Sequence, residues 1–96
     1  MQINMEREEL GKRFREVVKG VNFVTSKIVD YIQQGNFVCE LSYDFNYSGV
    51  LYKHHIYGVT VVDMDRKKRR TDLDKVFDDD KQSIAYNAAL EYIKTL

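Results

Sequence analysis

Phe37-Val38-Cys39-Glu40-Leu41-Ser42-Tyr43-Asp44-Phe45-Asn46-Tyr47 places an apolar or aromatic residue at every odd position and, after Val38, a polar residue at every even one. Alternation of this length predicts a β-strand with one dry and one wet face, and it sets the register of an antiparallel sheet. Asn46-Tyr47-Ser48-Gly49 supplies turn residues, and residues 50–62 then predict a second, longer strand with Gly58 as a bulge or kink. Val59 and Val61 fall on one face of it, Ile56 and Val62 on the other, which suits a central strand. A third strand is expected within residues 67–73, where the β signal is poor. Without that strand the hairpin keeps an open edge, and a lone two-stranded sheet is marginal in water.

Helical periodicity flanks the hairpin. Leu10, Phe14, Val17, Val18 and Val21 predict a helix over residues 5–19, with Asn4 as N-cap, glutamates in its first turn and Gly20 at its end. Val21, Val24, Ile28, Tyr31 and Ile32 predict a second helical stretch stopped by Gly35-Asn36. At the other end, Ala85, Ala88, Ala89, Tyr92, Ile93 and Leu96 predict a C-terminal helix. Asp78-Asp79-Asp80 sits at its start, and Gln82 follows Asp79 by three residues as in a capping box. The expected fold is α+β: one or two N-terminal helices, an antiparallel sheet of about three strands with its hairpin near residues 37–62, and a C-terminal helix. That last helix is expected on the face formed by Phe37, Cys39, Leu41, Tyr43 and Phe45.

Composition bounds the function. The 96 residues suit a single domain, and 44% hydrophobic with 31% charged residues describes a globular chain rather than a disordered one. No proline, low-complexity tract or internal repeat reads as a linker, so residues 1–96 form one domain. The lone Cys39 cannot make an internal disulfide and falls on the dry face, consistent with a reducing compartment. No apolar run approaches the roughly 20 residues that span a bilayer, and Glu6, Glu8 and Glu9 near Met1 do not form a signal peptide. A cytoplasmic location without membrane contact is expected. Fifteen basic and fifteen acidic side chains balance, which excludes a global field for polyanions.

The residues capable of chemistry form no catalytic set. His54 and His55 are adjacent in a strand, so they point to opposite faces and cannot share one metal. Cys39 and His54 have no third group to orient them. Asp63-Met64-Asp65 resembles a metal-nucleotide D-x-D, but the chain has no room for a nucleotide-binding domain, and the pair reads better as the polar end of a strand. Neither a cofactor nor a metal is expected, and no enzymatic activity. One motif carries an alternative, the run Arg66-Lys67-Lys68-Arg69-Arg70, which could grip phosphates while Tyr52 and Tyr57 offer stacking surfaces. Asp63, Asp65, Asp72 and Asp74 flank it and cancel most of its field within a Debye length of roughly 10 Å. If all five cations contacted a duplex, log K against log salt would slope by roughly −4.5.

The order of hairpin, weak third strand and C-terminal helix, with Lys81-Gln82-Ser83-Ile84-Ala85-Tyr86-Asn87-Ala88-Ala89-Leu90 in that helix, resembles the second half of a double-stranded-RNA-binding domain. That family uses lysines at the start of the last helix to clamp phosphates. Here only Lys81 stands there, behind three aspartates, so the resemblance implies topology alone. The function expected first is a small non-catalytic interaction module that binds a protein partner or a second copy through its tyrosine-rich hairpin, with Tyr47, Tyr52 and Tyr57 as the surface. Nucleic-acid binding through residues 66–70 is the alternative, and a small enzyme using His54 or His55 at a subunit interface comes third.

Overall fold

The computed structural model describes residues 6–18, 27–48 and 52–96. Helix α1 (Arg7–Val17) leads into β1 (Lys27–Gln34), β2 (Phe37–Ser48) and β3 (Tyr52–Asp63). The short β4 (Lys68–Arg69), a 3-10 turn (Thr71–Leu73), β5 (Lys75–Asp79) and α2 (Gln82–Lys94) follow. All strand pairs are antiparallel, in the order β1-β2-β3, with β4 and β5 sharing the far side of β3. The architecture is α+β, with the terminal helix packed on the sheet as the alternation predicts.

Cys39, Leu41, Tyr57, Val59 and Val61 form a core with Ala85, Ala89 and Ile93 of α2, and Phe37 and Tyr43 pack against it. The small Ala85 and Ala89 let the helix approach the strands closely, and Ile93 fills the space one turn on. The side chain of Phe45 lies outside the described residues. Asn4, the expected N-cap of the first helix, does too; among the described residues the helix starts after Glu6. The even face of β2 is not simply wet. Leu10 and Phe14 of α1 cover Val38, Val62 and Tyr31 there, so the two helices lie on opposite faces of one sheet. A Cβ on Gly11 would stand 2.8 Å from the Tyr31 ring, which marks how closely α1 meets the strand.

The expected second helix is instead strand β1 over residues 27–34, while residues 19–26 lie outside the described set. A bulge between Ile28 and Asp30 explains the helical appearance. It inserts one residue into a period-2 pattern, so Val29 and Ile32 reach the α2 core while Ile28 and Tyr31 belong to the opposite face. Apolar residues then recur at a spacing of three. Gly35-Asn36 is a two-residue hairpin between Gln34 and Phe37, with Gly35 at φ 60° as a type II′ turn requires, rather than a helix stop.

Two further expectations are corrected. Gly58 makes no bulge, because the β2–β3 register runs unbroken from Phe37↔Asp63 to Ser48↔Tyr52. A Cβ at Gly58 would come within 2.9 Å of Ser42 Oγ, so packing across the pair accounts for the glycine. The third-strand position is split: β4 has two residues, and the missed β5 carries Phe77 into the core. Asp78 and Asp79 therefore end a strand, and α2 starts after Lys81 with no side-chain cap. Asp79 Oδ1 accepts the Lys81 N–H at 2.9 Å, which lowers its carboxyl pKa, and Gln82 donates to the Tyr57 hydroxyl at 3.0 Å instead of closing a capping box.

Candidate interaction surface

Strands β2 and β3 are each 12 residues long, about 40 Å at 3.3 Å per residue, whereas the 11 residues of α1 and 13 of α2 span only about 16 and 20 Å. Neither helix is long enough to cover the whole hairpin. The flanking strands stop short as well. Among the described residues β1 reaches only to Lys27 opposite Tyr43, and β5 ends at Asp79 opposite His55. From Asp44 to Ser48 and at Tyr52 and Lys53 the hairpin continues with only its own second arm paired to it, among the described residues. The molecule is accordingly drawn out to 50 × 27 × 24 Å.

A row of rings marks the base of this ribbon. The Tyr43 hydroxyl lies 2.7 Å from His55 Nδ1, and the two rings stack at 5.9 Å. Tyr43 also meets Tyr57 at 4.9 Å, and Tyr57 meets the edge of Tyr86 on α2 at 5.4 Å. Burial, reinforced by Tyr57 and Asp44 nearby, raises the Tyr43 phenol pKa, so it stays a neutral hydrogen-bonding group. His54 takes the other face, with Nδ1 3.8 Å from Asp78 Oδ2. The two histidines thus diverge, as adjacent strand residues must.

The structure separates the three tyrosines. Tyr47 and Tyr52 occupy ladder positions in the ribbon, and their side chains lie outside the described residues. Tyr57 is 4% exposed in the α2 core, so its ring belongs to the interior and not to a docking surface. Its aromatic character in a period-2 pattern could not distinguish these roles, because exposure depends on where α2 lies.

The basic run is also divided. Asp74 Oδ2 accepts from Arg69 Nη2 at 2.8 Å and Nε at 3.2 Å, while Asp74 Oδ1 accepts the Val61 N–H at 2.9 Å. This carboxylate thus serves the β3 backbone where β4 has ended and β5 has not begun. Arg70 and Asp72 form a second two-point pair, which raises the Arg70 pKa and lowers that of Asp72. Arg70 also lies over the Phe37 ring. Arg66, Lys67 and Lys68 are exposed at the turn, where Asp63 Oδ1 accepts the N–H groups of Asp65 and Arg66. The D-x-D is a turn-forming strand end, and two of the five cations are tied into the fold.

A buried polar network escaped the sequence reading. Glu40, 9% exposed, accepts from the Tyr31 hydroxyl at 3.0 Å, and Arg15 donates to that hydroxyl at 3.3 Å. Burial raises the Glu40 carboxyl pKa, against the lowering effects of the Tyr31 hydrogen bond and of Arg15 and Arg69. The Tyr31 hydroxyl thus links Arg15 of α1 to Glu40 of β2; the alternation of Glu40 with Leu41 and Cys39 is the only sequence signal and points to solvent. Cys39 is fully buried, and desolvation with Asp74 nearby pushes its thiol up to about 12, which leaves it inert. It also faces away from His54. Beyond α1 the same sheet face opens into a trough of about 430 Å³ beside Ser42, Ile56, Gly58 and Val76.

Among the described residues no group of three or more His, Cys, Asp or Glu could hold a metal ion, and no helix is long and apolar enough to cross a membrane. Comparison with protein-family models, curated proteins and solved structures finds no match to this chain.

Proposed function

We propose that this domain is a non-catalytic interaction module that engages a protein partner, or another copy of itself, through the two-stranded ribbon of residues 44–48 and 52–53. One observation carries the reading: both arms run beyond the strands that flank them, so main-chain groups along the ribbon's outer edges meet no strand among the described residues. Such an edge is a template for an added strand, in which main-chain hydrogen bonds give affinity. The helix-covered body supplies a rigid base, and an isolated ribbon gains by acquiring a third strand.

The test replaces residues 47–53 with Asn-Gly, a two-residue turn that can close the Asn46–His54 rung. Full and shortened chains are immobilised and exposed to a lysate of the source cells, with thermal unfolding recorded for both. The expected result is a folded shortened chain that no longer captures the proteins retained by the full one. Equal capture by both chains contradicts the reading. The divided basic run, with Arg69 and Arg70 held by Asp74 and Asp72, gives no observation that favours nucleic acid over protein.

A further inference from the structure

We infer that the ribbon's partner is a second copy of this chain, paired antiparallel along residues 45–47 of β2. This rests on the ribbon being the interaction surface. The direction of the main-chain groups follows from Val61. Its carbonyl accepts the Arg70 N–H at 2.8 Å and its N–H donates to Asp74, so both groups point away from β2. In an antiparallel ladder the partner of such a residue also points away from the pair. Cys39 is that partner, and the unbroken register extends the pattern to Leu41, Tyr43, Phe45 and Tyr47. The bond from Met64 N–H to the Asn36 carbonyl, one rung beyond Phe37↔Asp63, has the parity this requires. Strand β1 lies beside the pairs up to Tyr43, and no described strand lies beside Phe45 and Tyr47.

That edge is complementary to itself. A two-fold axis through Asn46 sets Phe45 of each copy opposite Tyr47 of the other, in hydrogen-bonded rungs that make four N–H···O bonds. It sets Asp44 opposite Ser48, so no like charges meet. The β3 edge behaves differently, because an axis through Lys53, whose main-chain groups point away from β2 by the same register, opposes two lysines, the usual device against edge pairing. With formal net charge zero, the two copies carry no overall repulsion.

The test is sedimentation equilibrium of the full chain and two matched variants. Tyr47→Pro removes an N–H that points away from β3, sparing the intrachain ladder while deleting two of the four intermolecular bonds; Lys53→Pro does the same on the other edge. The full chain should dimerise, Tyr47→Pro should weaken dimerisation by about 10-fold or more, and Lys53→Pro should leave it unchanged. A cross-link needs no proline: Asn46→Cys places two thiols on a non-hydrogen-bonded rung at a separation suited to a disulfide, with buried Cys39 inert. It should oxidise to a covalent dimer, and Lys53→Cys should not.

A full chain that stays monomeric to about millimolar concentration, the weak-binding end of the affinity scale, overturns the inference. So does a dimer broken by Lys53→Pro but not by Tyr47→Pro, or cross-linking at residue 53 alone. Monomer behaviour combined with ribbon-dependent protein capture would leave the ribbon reading standing and this inference refuted. A dimer that survives loss of residues 47–53 would refute both.

Discussion

The two ends of the β2–β3 hairpin share a backbone geometry and differ in everything around it. At Leu41 the pair has a strand on each side, α2 lies on one face and α1 nearby on the other, and the Cys39 and Leu41 side chains are fully buried. At Asp44 and Phe45 only β5 still flanks the ladder, and from Asn46 outward it continues with neither flanking strand among the described residues. The difference teaches that pairing alone does not make a core. The buried side chains lie where helices and extra strands meet the hairpin, and the overhang is the surface proposed for association.

The largest effect expected from this contrast is in the body. Leu41→Ala should cost about 2–5 kcal/mol in urea unfolding, whereas replacing residues 47–53 with Asn-Gly should change stability by less than about 1 kcal/mol. Comparable losses would show that the ribbon belongs to the core. Next is the junction where β4 gives way to β5. Asp74→Ala leaves the Val61 N–H and the Arg69 guanidinium without their acceptor and should cost about 1–3 kcal/mol by the same measurement.

Glu40 gives a smaller effect with a definite sign. Its pKa is raised in the folded state, so its favourable contribution is complete below the unfolded value near 4.3 and is lost as pH rises through the folded value. Glu40→Gln should therefore remove a decline in stability above about pH 4 and be the more stable chain at neutral pH, with the difference vanishing in acid. Urea midpoints measured from pH 3 to 8 check this; a Gln variant less stable at pH 7 would show that the Arg15 and Arg69 attractions outweigh burial. The smallest effect concerns the far turn. With Arg69 and Arg70 paired, only Arg66, Lys67 and Lys68 remain for phosphates, so any duplex binding should show a salt slope no steeper than about −2.7. A slope near −4.5 would mean that both ion pairs open.

Much of the covered body was legible in the residues, and the rest was not, for identifiable reasons. The alternation from Phe37 and the Ala85, Ala89 and Ile93 stripe each read correctly, because each obeys one period throughout. Strand β1 misled because its bulge turned a period of two into apparent helical spacing at Ile28, Tyr31 and Ile32. Strand β5 was hidden because Asp78 and Asp79, depleted residue types in strands, also suit a helix start. The buried Glu40 sat at a position that alternation assigns to water, and only the placement of α1 changes that. The overhang could not be read at all: it depends on where β1 and β5 stop relative to a hairpin register no local pattern reveals.

The most direct test is native-state amide exchange, residue by residue, at low and high protein concentration. The account predicts that the Phe45 and Tyr47 amides exchange quickly in dilute solution and become protected as concentration rises, while Tyr43, beside β1, is protected throughout. Phe45 and Tyr47 amides with the same exchange rate at every concentration would contradict it.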